Sequence, residues 1–139
     1  MNVLIVDAQG GGIGRQLITE IKKGLPDITI TAVGTNTAAT AAMLKAGADE
    51  AATGENAVAV CSKKADVIIG PVGIVIADSM LGEITPRMAV SIARSPAKRI
   101  LIPVNHCDNI VVGVGELNIG RLIQDVIHRL RELLSNRSN

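Results

Sequence analysis

The sequence predicts an α/β fold, a doubly wound, Rossmann-like parallel sheet with helices on both faces, making three layers. Three observations carry this. Short apolar runs alternate with helical periodicities throughout the 139 residues. The first run, residues 3–6, leads into the glycine cluster Gly10-Gly11-Gly12-Ile13-Gly14 and then into an amphipathic helix. Finally, the hydrophobic 47% contains no Phe, Trp or Tyr, and small, branched aliphatic side chains suit helices packed closely on a parallel sheet. A flavodoxin-like strand order gives the same alternation, so both orders stay open.

Residues 3–6 read as a buried strand ending at Asp7. Beyond the glycines, Leu17, Ile18, Ile21 and Leu25 recur at helical spacing until Gly24 and Pro26 stop the helix. The β-branched alternation over 28–33 predicts the second strand. The turn Gly34-Thr35-Asn36 opens an Ala-rich helix over 37–46, which Gly47 ends. Residues 48–53 form a short third strand, and Thr53-Gly54-Glu55-Asn56 starts a helix that buries Ala57, Val58, Val60 and Cys61. The fourth strand, 66–69, ends at Gly70-Pro71-Val72-Gly73. Residues 74–81 fit a buried strand or a buried helix, and helix is the reading taken. Thr85-Pro86 pairs a capping hydroxyl with proline at the first helical position, for a helix to about Arg94. The fifth and sixth strands are 99–104 and 109–114. Asn118 caps a last amphipathic helix whose stripe runs through Ile119, Leu122, Ile123, Val126, Ile127 and Leu130. One domain is expected over 1–135, with a disordered tail at 136–139.

Composition excludes several functions. Without aromatic rings, the chain has no platform for stacking single strands or RNA and no cage for a quaternary amine. It also lacks the tyrosine that short-chain dehydrogenases use. Fourteen Lys and Arg against thirteen Asp and Glu give a net charge of +1, so nothing points to nucleic acid. Two cysteines, Cys61 and Cys107, read as free thiols in a reducing cytosol. The N-terminus has no basic region of a signal peptide. The longest apolar run, 67–77, is broken by Gly70, Pro71 and Gly73 and falls short of the ~20 residues of a membrane helix. The expectation is a cytoplasmic protein with no membrane partner.

A Rossmann loop needs a tight turn, close backbone approach to a pyrophosphate, and close helix–sheet packing, and each demand selects glycine. The G-x-G-x-x-G spacing places Gln9, Gly11 and Gly14 at its three positions; the short-chain-dehydrogenase spacing uses Ala8, Gly12 and Gly14. Neither is complete, but the strand–loop–helix context is right, and amides at the helix start attract an anion. The plain alternative is that the glycines only permit a close turn. The acid expected at the end of the second strand, for ribose hydroxyls, is absent. Thr35 and Asn36 stand there as hydrogen-bonding substitutes, and both also suit a turn.

Ligands of open α/β sheets bind beyond the carboxyl ends of the strands. The cofactor-binding candidates are therefore Gln9, Gly10, Gly11, Gly12, Ile13, Gly14, Thr35, Asn36, Gly70 and Pro71, for NAD(P) or another nucleotide. Any base would lie between aliphatic side chains such as Ile13, Val72 or Val104. Catalytic candidates at this edge are Asp7, Glu55 and His106, with Asn105 and Cys107 beside the last. Asp7 equally suits a cap on the loop amides, and Glu55 a helix start. Asp78 and Glu83 flank a glycine turn and read as solvated. Two His and two Cys do not make a zinc site.

The strings MNVLIVDAQGGGIGRQLI, TAAMLKAGADEAATGENAV, DVIIGPVGIVIADSMLGEITPRMA and SPAKRILIPVNHC together resemble a small bacterial family known only as a domain of unknown function. The resemblance covers residues 1 to about 115. It implies a Rossmann-like fold and a bacterial protein, and carries no reaction or catalytic residue.

Three functional classes follow. The first is a nucleotide-binding module with a sensing or regulatory role, since a Rossmann unit of this size resembles the binding domains of dinucleotide sensors. The second is a small enzyme acting on a phosphorylated or carboxylated metabolite. The third is an interaction protein that forms a homodimer through its terminal helix.

Overall fold

The computed structural model describes residues 1–104 and 108–138. Five strands form one wholly parallel sheet: β1 (Asn2–Asp7), β2 (Thr29–Gly34), β3 (Glu50–Thr53), β4 (Val67–Pro71) and β5 (Lys98–Ile102). The spatial order is β3-β2-β1-β4-β5. This is the Rossmann order and not the flavodoxin-like one. The helices are α1 (Gly12–Gly24), α2 (Thr37–Lys45), α3 (Glu55–Lys64), α4 (Pro86–Arg94) and α5 (Ile119–Ser138), with a short 3-10 helix at Val72–Val75.

The period-2 alternation of each strand builds two cores. Val3 and Ile5 of β1, Ile30 and Ala32 of β2, and Val67 and Ile69 of β4 point to one face. There they meet Leu17, Ile18 and Ile21 of α1, Met43 of α2, and Ile123, Val126, Ile127 and Leu130 of α5. Leu4, Val6, Val33 and Ile68 point to the other face, against Val58 of α3 and Met88, Ala89 and Ile92 of α4. β1 is buried on both faces because it lies in the middle of the sheet, which is why its apolar run is continuous.

Local chemistry fixes the helix ends. The Asn36 side chain accepts from Ala39 N–H (2.9 Å) to cap α2, and Thr85 Oγ1 accepts from Met88 N–H (3.1 Å) to cap α4, with Pro86 next. At the other end of α4, Arg99 Nη1 donates to Ser95 O (2.7 Å) and Ala97 O (3.1 Å). A guanidinium on carbonyls after a helix terminus also meets the dipole favourably. Arg99→Met keeps the aliphatic stem and removes these bonds. It is expected to cost about 1–2 kcal/mol, read as a lower urea midpoint at unchanged slope; an unmoved midpoint contradicts it.

Several sequence expectations change, among them the burial of Val60, which is 41% exposed. The sixth strand at 109–114 does not form: Ile110 and Val112 are 90% and 93% exposed, and β5 is an edge. Another parallel strand beside β5 needs a crossover of a dozen residues or more, and only 103–108 intervene. The helix expected over 74–81 is the 3-10 turn at Val72–Val75 followed by an irregular loop, with left-handed φ at Asp78, Met80, Leu81 and Gly82. Ile74 and Met80 are its buried anchors, which is why periodicity looked helical. The tail expected at 136–139 is helical through Ser138, where Arg137 pairs with Asp66 (3.2 Å). Gly70 and Pro71, expected after the fourth strand, are its last residues. The apolar stripe of α5 is turned onto the sheet of its own chain, leaving Ile110, Val112 and Leu81 as the most exposed large apolar residues. Among the described residues no helix is long and apolar enough to cross a membrane.

Candidate functional site

The chain winds outward from β1 to β2 to β3, then returns to the other side of β1 for β4 and β5. The winding reverses between β1 and β4, and at such a point the loops beyond the strand ends part to leave a crevice. The β1–α1 connection, residues 8–11, lies at this end of the sheet.

Asp7 closes β1 and is 3% exposed. One carboxylate oxygen accepts from Ala8 N–H (2.8 Å) and the other from Gly14 N–H (2.7 Å), so Asp7 ties the loop to the first turn of α1. Burial pushes its pKa up, nearby Glu83 adds to this, and the Gly14 and Ala8 amides only partly oppose it.

The glycine cluster divides in two. Gly11 has a left-handed φ of 73°, and a Cβ there would lie 2.9 Å from the Cα and the carbonyl oxygen of Ala39. A Cβ on Gly14 would meet Met43 Sδ and the Cβ of Asp7. Internal packing, where α1 and α2 approach, therefore requires both glycines. Gly10 and Gly12 differ: φ is not left-handed at either, both are exposed, and a Cβ on either would meet nothing within 4 Å. Among the described residues, neither N–H has an acceptor.

Glu83 reaches this loop from the β4–α4 connection. Its Oε1 accepts from Gln9 N–H (2.9 Å), Thr35 Oγ1 (2.7 Å) and Asn36 Nδ2 (2.8 Å). Burial pushes Glu83 up in pKa, but those three donors outweigh it, so the net shift is downward and the carboxylate stays ionised at neutral pH. The residue read as solvated is thus a junction between the ends of β1 and β2. Its signal is absent from local sequence because its partners are 47 to 74 residues away.

Thr35, Asn36, Gln9 and the glycine loop are brought together. Asn36 Nδ2 also donates to Gln9 O (2.9 Å). Glu55 lies elsewhere: it starts α3, is half-buried, and pairs with Arg87 (3.5 Å) at the start of α4. The Thr85 hydroxyl, above all, lowers its pKa; burial opposes this, and Arg87 adds to the lowering. Among the described residues, Asp7 and Glu55 share no hydrogen-bond partner. Gly70 and Pro71 are buried, and a Cβ on Gly70 would strike Val6 O, so Gly70 lets β4 lie against β1. Ile13 and Val72 are half-buried, whereas Val104 belongs to the core beneath α5. Asn105, His106 and Cys107 lie outside the described residues. Concave spaces between the elements are lined by other residues than the glycine loop, Thr35, Asn36 and Glu83. One, lined by Asn2, Leu4, Thr31, Glu50, Cys61 and Lys64, includes the start of β1, opposite the end where ligands of such sheets bind.

No curated protein matches the sequence. Among solved structures, the apo histidine-tagged saccharopine dehydrogenase (L-Glu forming) from Saccharomyces cerevisiae is similar at 19% identity and a TM-score of 0.46. It aligns over 70% of this chain, which spans only 20% of that one. A dodecameric FMN-dependent Ubix-like decarboxylase from Escherichia coli O157:H7 is similar at 11% identity and a TM-score of 0.43, over 97% of this chain and 94% of that one. A family pattern matches residues 2–135, nearly everything described above. The chain belongs to that family, described as a domain of unknown function (DUF3842).

Proposed function

We propose that this protein binds a phosphate-bearing small molecule, a nucleotide or dinucleotide such as NAD(P), at the β1–α1 loop, and that it serves a sensing or regulatory role. The observation that carries this is the pair Gly10 and Gly12. Among the described residues nothing requires glycine at either position, yet both leave amides without an acceptor, on exposed residues, at the positive end of α1. A phosphate needs that kind of close backbone approach. Half-buried Ile13 and Val72 offer aliphatic surface for a base. The separate partners of Asp7 and Glu55 favour binding over catalysis by that pair.

The test is thermal unfolding with millimolar NAD, NADP, AMP, ATP or CoA. It should be followed by circular dichroism because the chain has no Trp or Tyr. A ligand at a hundredfold excess over its Kd stabilises by about 2.7 kcal/mol, a shift of several degrees. Gly12→Val places a branched side chain in the open space before the loop. It is expected to fold with a midpoint within a few degrees of the wild type and to lose the ligand shift. No shift with any of the five ligands, or an undiminished shift in Gly12→Val, overturns the reading.

A further inference from the structure

The acid missing from the end of β2 is present in space, carried by a different element. Glu83 meets Thr35 and Asn36 just past β2, and Gln9 at the start of the glycine loop. A Rossmann acid that reads a ribose stands in that corner, between the end of β2 and the phosphate loop. We propose that Glu83 is a specificity-determining residue that accepts hydrogen bonds from the vicinal hydroxyls of the ligand's sugar, so that the protein selects a ribonucleoside phosphate with an unmodified diol. This rests on the phosphate-loop reading above and extends it to the sugar.

The carboxylate is built to be held still with one oxygen spare. All three donors converge on Oε1, and Oε2 has no donor among the described residues. The loop behind it is pinned. Asp78 N–H donates to Ile84 O (2.7 Å), Glu83 N–H to Met80 O (3.2 Å), and Ser79 Oγ to Gly73 O. Met80 and Ile84 are buried beneath it. A preordered acceptor loses little freedom when a hydroxyl arrives. A fixed anion also repels a phosphate placed on the 2′ oxygen.

The experiment is titration calorimetry of the full chain with two matched pairs, ADP against 2′-deoxy-ADP and NAD against NADP. The wild type is expected to prefer the first of each pair by about ten- to a hundredfold, the size of a hydrogen bond to a charged acceptor. Glu83→Gln keeps a carbonyl oxygen for the three donors and replaces the spare acceptor with an N–H₂ group. Its preference is expected to fall below about threefold while binding of 2′-deoxy-ADP persists. If the wild type binds each pair equally, the role of Glu83 is overturned and the phosphate loop stands. If none of the four binds, both fall. If Glu83→Gln binds all four more tightly and still discriminates, Glu83 only occludes the loop, and the proposal fails. If the variant does not fold, the wild-type pairs decide alone.

Discussion

Gly11→Ala is expected to lower stability by about 2–5 kcal/mol, the largest effect of any single methyl addition in the glycine loop. Two costs combine. An L-residue in the left-handed region costs about 1–2 kcal/mol, and Gly11 has φ 73°. The new methyl would also stand 2.9 Å from backbone atoms of Ala39, and a backbone cannot rotate away as a side chain can. Forcing α2 outward is an overpacking cost of about 1–3 kcal/mol. Gly12→Ala, one residue on, is the control. It meets nothing and improves helix propensity by up to about 1 kcal/mol. Urea unfolding of the two variants beside the wild type gives both values. A Gly11→Ala loss under 0.5 kcal/mol, or equal losses in the two variants, would show that the α1–α2 approach does not require this glycine.

Asp7→Ala is expected to cost about 2–6 kcal/mol, because it strands the Ala8 and Gly14 amides in the interior at about 1–3 kcal/mol each. Asp7→Asn keeps one acceptor and should lose less. The pH dependence carries its own sign. Burial raises the folded-state pKa of Asp7 above its ordinary 3.8, so folding favours its protonated form. Its titration therefore adds stability that is full below 3.8 and is lost as pH rises through the raised value. Glu83 and Asp49 are shifted the other way and lose stability as pH falls through their lowered values. Subtracting the Asp7→Asn curve from the wild-type curve isolates Asp7. The stability difference between them should narrow as pH rises from 3.8 toward neutrality, and a difference that widens instead would reverse the assignment of burial as the dominant influence.

What could be read from sequence was what depended on neighbours. β1 declared itself because a strand covered on both faces needs an unbroken apolar run. The Thr85-Pro86 start of α4 and the stripe of α5 likewise state their environments within a few residues. The glycine cluster located the loop but not the separate duties of its members, which depend on where Ala39 and Met43 of α2 arrive. Residues 109–114 carry strand-forming side chains, but a strand also needs a partner within reach, and connection length forbids a parallel one beside β5. Glu83 was the largest omission. A carboxylate beside a glycine turn looks the same whether it faces water or three donors from two distant loops.

The place of β1 in the sheet also sets a folding order. It is the earliest strand and the middle one, paired to β2 on one side and to β4, at Val3↔Val67, on the other. During synthesis, the β1–β2 unit must wait with one strand edge open until residues 67–71 emerge. One face also stays uncovered until α5 supplies Ile123, Val126, Ile127 and Leu130. Such long-range closure is slow compared with helix formation, and an open apolar edge pairs readily with another chain. The nascent protein is therefore most prone to aggregation before β4 has emerged, and α5, the last helix to arrive, seals the larger core.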